Sequence, residues 1–312
     1  MKFTPSPVTV TDNIMDKNCS NYLGSRGSSP SLLPSRALWQ FWLSRLFGKY
    51  NFTREDKLLF EYEKRWELPE TVLLRQDGKF IVLDINGRQL FWPMDLGYEE
   101  LSWLYAEIFY PWEINPSSYS HPDISLGQLE WILDAGAFEG FFSLLALESG
   151  TPTVMAVEPL REVRDSLEKN LEEHAGSSHV EIISSAVGRE NSEMFINPGG
   201  LSVCESRLCT EEATGSYRVP VVTVDHLAGQ WGLVPGGMIK MDIEGAEMSA
   251  LEGAKDTLAS LKPKLAVAVY HGYENALKCR EIILDANPKY RVEFRGMYGW
   301  FNPPRPHLLF AL

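Results

Sequence analysis

Apolar and polar positions keep one rhythm from Leu129 to the end of this chain and a different one before it. After Leu129, apolar runs of strand length alternate with stretches of helical spacing. Runs ending at Asp134 and Val157, over 180–187 and 219–222, at Met238–Met241 and over 265–270 predict buried strands. Between them lie predicted helices: 141–148, 159–174 with Leu160, Val163, Leu167 and Leu171 inward, a short one capped near Asp225, and 274–286. Another starts near Glu244 and carries Met248, Leu251, Ala254, Leu258 and Leu261 on one face. Residues 190–216 lack a pattern and read as irregular. Strands over 290–295 and 307–312, joined by a Gly/Pro-rich turn, predict a terminal antiparallel pair. Alternating βα units imply an α/β, Rossmann-like, doubly wound sheet, mostly parallel, with helices on both faces.

The front of the chain reads differently. Residues 1–34 are rich in Ser, Pro, Asn and Gly and predict a flexible tail. Over 36–47, Leu38, Trp39, Trp42, Leu43, Leu46 and Phe47 fall on one helical face. Such a face can dock on its own domain, on a second copy through Trp39 and Trp42 as a homo-oligomer, or on a membrane surface. A charged helix is predicted over 54–67. Runs at 80–84 and 88–92 flank Asn86-Gly87, a strong hairpin signal. Residues 98–121 are dense in aromatic rings and, with Pro122 just beyond, broken by Pro111 and Pro116. They predict either a bent cover over an acceptor pocket or a second core. The expected organisation is a tail at 1–34, an accessory region at 35–125 and a cofactor-binding domain at 126–312.

Chemistry enters at Asp134-Ala135-Gly136-Ala137-Phe138-Glu139-Gly140. A strand ends in an acid, two glycines sit four apart, and a helix follows, an arrangement expected to bring backbone N–H groups to a bound nucleotide. Glu158 follows about 20 residues later, where an acid serves to hold ribose hydroxyls. NAD-type dehydrogenases share this plan, but Phe138 fills the middle glycine position of their G-x-G-x-x-G, and they typically lack the terminal antiparallel pair. A second strand ends in Asp242, followed by Glu244 and Glu247. Helix capping accounts for the two glutamates, yet leaves Asp242 at a strand end facing the cofactor crevice. His271, past the run 265–270, is the candidate general base, since an ordinary imidazole titrates near neutrality. A divalent metal on Asp242, Glu244 or Glu247 is conceivable but not required by the spacing.

Together the glycine turn, Glu158-Pro159, the run 219–227 and Lys240-Met241-Asp242-Ile243-Glu244-Gly245-Ala246-Glu247 resemble the FkbM family of class I S-adenosylmethionine-dependent methyltransferases. The resemblance spans about 129–270. It implies S-adenosylmethionine as cofactor, bound by Asp134, Gly136, Ala137, Gly140, Glu158, Pro159 and Asp242. Gly136 and Gly140 would lie under the methionine part, Glu158 on the ribose and Asp242 near the methyl, with Glu247 near the acceptor or fixing the loop. The acceptor implied is a hydroxyl on a sugar, polyketide or similar small metabolite. Family members commonly carry Asn-Ile where this chain has Phe138-Glu139.

Composition narrows the partners. A net charge of −13 over 312 residues repels phosphate backbones, so nucleic acid is not expected. No apolar run approaches the length of a membrane span, so stable insertion is not expected. Cys19, Cys204, Cys209 and Cys279 lack zinc spacing and read as free thiols in a reducing cytoplasm. A nucleotide-binding oxidoreductase and a non-catalytic partner protein of the same fold remain as alternatives.

Overall fold

The computed structural model describes residues 68–312, apart from 95, 173, 199–206, 210, 273 and 299–304. The expected tail and the helices over 36–47 and 54–67, with Trp39 and Trp42, lie outside the described residues. The description begins with an antiparallel sheet of β1 (Thr71–Asp77), β2 (Phe80–Ile85) and β3 (Arg88–Pro93). Asn86 and Gly87 join β2 to β3 with φ of 53° and 81°, the left-handed pair that a two-residue hairpin needs. Strand β1 was not anticipated; its exposed Leu74, Arg75 and Gln76 break the period-2 signal, where a bulge shifts its register on β2.

Next come α1 (Tyr98–Phe109), β4 (Ile132–Ala135), α2 (Phe141–Glu148), β5 (Thr153–Val157), α3 (Arg161–Glu172) and β6 (His179–Ile183). After β7 (Ala186–Val187), β8 (Ser192–Asn197), β9 (Arg207–Cys209) and β10 (Tyr217–Val222) come α4 (Val224–Trp231) and β11 (Met238–Met241). The chain closes with α5 (Glu247–Glu252), α6 (Lys255–Ser260), β12 (Lys264–Ala268), α7 (Asn275–Ala286), β13 (Val292–Tyr298) and β14 (Arg305–Ala311).

The main sheet has the order β13-β14-β12-β11-β4-β5-β6, with β14 antiparallel to β12 and β13 and the other neighbours parallel. This is the class I methyltransferase order, including the expected antiparallel end. The winding direction reverses between β4 and β11, which opens a crevice at their carboxyl ends.

Three expectations need correction. The predicted strand over 180–187 is two strands, because β7 leaves the main sheet to pair with β10. The stretch read as irregular, 190–216, contains β8 and β9, which complete a separate sheet of order β7-β10-β8-β9. Strand β8 has only Ile196 fully buried, so its pairing with β10 depends on a partner distant in sequence. The predicted helix from Glu244 is α5 and α6, broken at Gly253, where a Cβ would lie 2.1 Å from the Gly188 carbonyl.

One sheet face packs Leu227, Leu251, Leu258, Cys279 and Ile283 from the later helices against Leu133, Ile239 and Val267. The other packs Phe141, Leu144 and Leu167 against Ile132, Ala156 and Phe310, and continues without a break into Leu90, Trp92, Leu101 and Tyr105 of the front sheet and α1. Asn170 of α3 ties these parts together. Its amide oxygen accepts from Phe91 N–H (2.7 Å), and its Nδ2 donates to the Phe91 and Glu139 carbonyls (3.2 and 2.8 Å). The segment after α1 crosses the far end of the sheet. Fully buried Arg295 lies 3.9 Å over the Trp112 ring and donates to its carbonyl, and Gly296 faces the Pro116 carbonyl with no room for a Cβ.

Candidate active site

The crevice is an open cleft enclosing about 950 Å³ of empty space, its mouth included. Its walls come from the turn after β4 (Gly136, Ala137, Phe138, Glu139), the end of β5 (Glu158, Pro159) and the end of β11 (Lys240, Asp242, Ile243, Glu244). Leu104, Glu107, Ile108 and Tyr119 close it from the front part of the chain, and Ile196 and Leu208 from the small sheet.

Gly136 is required where it stands. Its φ is 75°, and a Cβ there would lie 1.8 Å from the Asp242 carbonyl. Gly140, with φ 90°, backs onto Leu167 of α3, so its close approach is between helices rather than toward the cleft. The N–H groups of the turn do not point at a ligand as expected. Those of Gly136 and Ala137 donate to the Val157 carbonyl (3.0 and 3.2 Å), and that of Gly140 donates to the Ala137 carbonyl (2.7 Å). The Phe138 N–H donates to Glu158 Oε2 (2.9 Å). A pyrophosphate would find no free N–H nest here, which argues against a dinucleotide. Phe138 adopts φ 50°, a left-handed conformation that costs a non-glycine residue about 1–3 kcal/mol.

Glu158 is nearly fully buried, and its Oε1 also accepts from Leu160 N–H (2.8 Å). Burial pushes its carboxyl up to about 7 against those two N–H groups. Glu139, also buried, is pushed up by burial to about 8. Asp134 does not reach the cleft. Fully buried beneath the turn, it accepts from Ser143 Oγ (2.8 Å) and pairs with Lys240 Nζ (3.1 Å), which also donates to the Gly136 carbonyl (2.6 Å). The direct contact expected of Asp134 is therefore replaced by an anchoring one. Burial alone would depress the Lys240 ammonium, but Asp134 and Asp242 hold its affinity for protons above the ordinary value.

Asp242 begins the second constellation. Its Oδ2 accepts from Tyr119 Oη (2.8 Å), while its buried Oδ1 has no hydrogen-bond partner and lies 3.7 Å from His271 Nε2. Glu244, with φ 55°, brings Oε2 to 3.3 Å from the same nitrogen. Glu247 is fully buried. Its Oε1 accepts from the N–H groups of Ile243 (3.1 Å) and Gly245 (3.2 Å) and lies 3.1 Å from His271 Nδ1. It fixes the loop and does not line the cleft.

His271 departs from its expected chemistry. Burial would lower its pKa, but the Glu244 and Glu247 carboxylates close to its ring nitrogens and the charge of Asp242 raise it to about 10. At neutral pH it is an imidazolium, so the argument for a base from an unperturbed pKa fails here. Ligand atoms of Asp242, Glu244 and His271 do lie within 4.8 Å of one another. A cation there would compete with the imidazolium proton, so its binding would weaken as pH falls.

Four wall residues had no role assigned from sequence: Lys240, Tyr119, Glu139 and Glu107. Glu107 accepts from Trp103 Nε1 (2.6 Å) and lies 3.4 Å from His307 Nε2; burial raises its pKa against both partners. An isolated acid on an apolar helix face was its only signal. Lys240 sat inside the quoted motif, but its position between Asp134 and the turn depends on the parallel β4–β11 register.

The family model described as the methyltransferase FkbM domain matches residues 134–295, more than half of the chain. This chain belongs to the FkbM methyltransferase family. The oxidoreductase alternative falls with that finding. No curated protein matches the chain. Among solved structures, the chain is similar to a methyltransferase FkbM from Methylobacillus flagellatus KT, at 22% identity and a TM-score of 0.45, over 70% of this chain and 56% of that one. It therefore spans little more than half the length of that protein. It is also similar to a precorrin-6y C5,15-methyltransferase from Geobacter metallireducens GS-15 (13%, TM-score 0.35, 60% and 85% covered). A SAM-dependent O-methyltransferase from Thermotoga maritima gives 14%, a TM-score of 0.33 and 59% of each chain. The fold assignment rests on the strand order itself. No helix among the described residues is long and apolar enough to cross a membrane.

Proposed function

We propose that this protein is an S-adenosylmethionine-dependent O-methyltransferase acting on a hydroxyl of a small molecule such as a sugar or polyketide. The observation that carries the reading is Asp242: one oxygen held by Tyr119, the other buried and unpartnered, in a carboxylate-rich cleft with one ammonium in its wall. Such a cleft suits a cationic donor, and Gly136, Ala137 and Pro159 leave it room beside Glu158. When bound, S-adenosylmethionine supplies a methyl activated by positive sulfur, open to in-line displacement.

The chain's own residues then have distinct tasks. Glu158 presents the remaining lone pairs of its carboxylate to ribose hydroxyls, with its orientation fixed by the Phe138 and Leu160 N–H groups. Asp242 accepts a hydrogen bond from the acceptor hydroxyl at Oδ1 and takes its proton as the oxygen reacts. Tyr119 fixes the Asp242 carboxylate from the opposite side, which sets the direction of that hydrogen bond. The His271 imidazolium lies beside Asp242 without taking the proton itself, and Glu247 holds both the imidazolium and the loop. In this reading His271 and Glu247 are positioning residues. Residues 126–312 form the methyl-transfer part, and the segment before it closes the acceptor side.

The test is incubation with S-adenosylmethionine and panels of polyhydroxylated metabolites, followed by mass spectrometry. A product heavier by one methylene and methylated on oxygen is expected, at a rate unchanged by EDTA. Methylation confined to nitrogen or carbon would overturn the hydroxyl assignment.

A further inference from the structure

Glu107 and Glu139 are the buried carboxyls on the cleft wall for which the reading above has no use, and Glu107 is already engaged by Trp103 and His307. Glu139 is 3% exposed, yet its Oε2 has no hydrogen-bond partner. An ionised oxygen in that state is costly unless something cationic meets it. The structure fixes it there: its own carbonyl accepts from Asn170 Nδ2 (2.8 Å), and Phe138 before it is held by Glu158. These bonds hold the backbone that carries the side chain.

The nearby charges show what kind of group would satisfy it. Among the described residues Lys240 is the one cationic side chain on the wall, and its Nζ is already engaged with Asp134 and the Gly136 carbonyl. Asp134 and Glu158 add negative potential around Glu139, while Lys240 offsets part of it. Burial pushes the Glu139 carboxyl up to about 8 against its own backbone N–H and the charge of Lys240, so neither offsets the loss of water. The missing partner is a compact cation with N–H donors.

We propose that Glu139 forms an ammonium subsite that binds the α-amino group at the methionine end of the methyl donor. The proposal rests on the S-adenosylmethionine reading and adds a residue that sets selectivity for the amino-acid end of that ligand. Gly136, Ala137 and Glu139 share one turn, so an adenosine whose ribose lies at Glu158 would extend its thioether arm along that turn. A carboxylate–ammonium hydrogen bond in such a site is worth about 1.5–3 kcal/mol, or roughly 10- to 100-fold in affinity.

The test is calorimetric titration of the full chain with S-adenosylhomocysteine and with its analogue lacking only the α-amino group, 4-(5′-adenosylthio)butanoate. Wild type should bind the amino compound about 10-fold or more tightly than the analogue. Glu139→Gln, and Glu139→Ile as a second variant, should weaken the amino compound while leaving the analogue's affinity nearly unchanged. Equal affinities in wild type, or a preference that survives in both variants, would overturn the ammonium subsite while leaving the methyl-donor reading intact. Binding of neither compound by folded wild type would overturn both.

Discussion

The two halves of the cleft are built in opposite ways. The donor half lies within one βαβ unit: the Phe138 N–H meets Glu158 across 20 residues, and the other turn N–H groups close onto Val157 or Ala137. The acceptor half is collected from distant pieces, with Tyr119 and Asp242 separated by 123 residues and Arg295 holding Trp112 across 183. The donor half spends its backbone donors internally. The acceptor half leaves Asp242 Oδ1 open and stabilises it by charge from His271. A local unit can be rigid through hydrogen bonds near in sequence, whereas a collected site depends on the packing that gathers it.

Substitutions that strike one half should spare the other. The largest effect is expected from Asp242→Asn, which removes the group proposed as proton acceptor. Turnover should fall about 10²–10⁴-fold, while calorimetry shows S-adenosylhomocysteine affinity within a few-fold of wild type. A comparable loss of both would merge the two halves into one unit. Gly136→Ala should break the boundary itself, because its Cβ would overlap the Asp242 carbonyl in a left-handed conformation. A loss of about 3 kcal/mol in denaturant unfolding is expected, together with both functions.

Glu158→Gln is the mirror of the Asp242 change. Affinity for S-adenosylhomocysteine should fall by about 1.5–3 kcal/mol, with turnover at saturating donor largely kept. Tyr119→Phe removes one hydrogen bond to Asp242 and leaves the ring. It should lower kcat/KM by roughly 0.5–1.5 kcal/mol, without changing donor affinity in the same calorimetric assay.

A pH dependence of stability separates the two halves in another way. The His271 pKa of about 10 in the folded chain lies above its ordinary 6.5, so the folded state binds that proton more tightly. The stability it contributes is fully present below pH 6.5 and is lost as pH rises through about 10. Glu158 and Glu139, raised to about 7 and about 8, also favour the folded state at low pH, but their contribution fades earlier, between the ordinary 4.5 and those values. Thermal melts of wild type and His271→Asn across pH 6–10.5 separate the two. The gap between the proteins should be widest near pH 6 and shrink toward pH 10. A gap independent of pH would mean that His271 is not held as an imidazolium.

By itself the sequence determined the parts whose physics is local. Apolar runs bounded by Asp134, Val157 and Met241 specified the buried parallel strands, and Asn86-Gly87 specified a hairpin, because side-chain period and left-handed turns are properties of short segments. The turn and its acid were legible for the same reason, since Gly136 and Glu158 each stand just past a strand end. Only the tertiary structure decided what those residues touch. Asp134 turned inward to Lys240 through strand register. Within the stretch read as irregular, β8 became a strand because β10 supplied its hydrogen bonds, and β9 because β8 did. His271 lost its near-neutral titration because three carboxylates, from a loop and a helix start that precede it by more than 20 residues, converge on its ring. Charge and hydrogen bonding act through space, so the pKa of a side chain and the direction it faces were fixed only when the chain had closed around it.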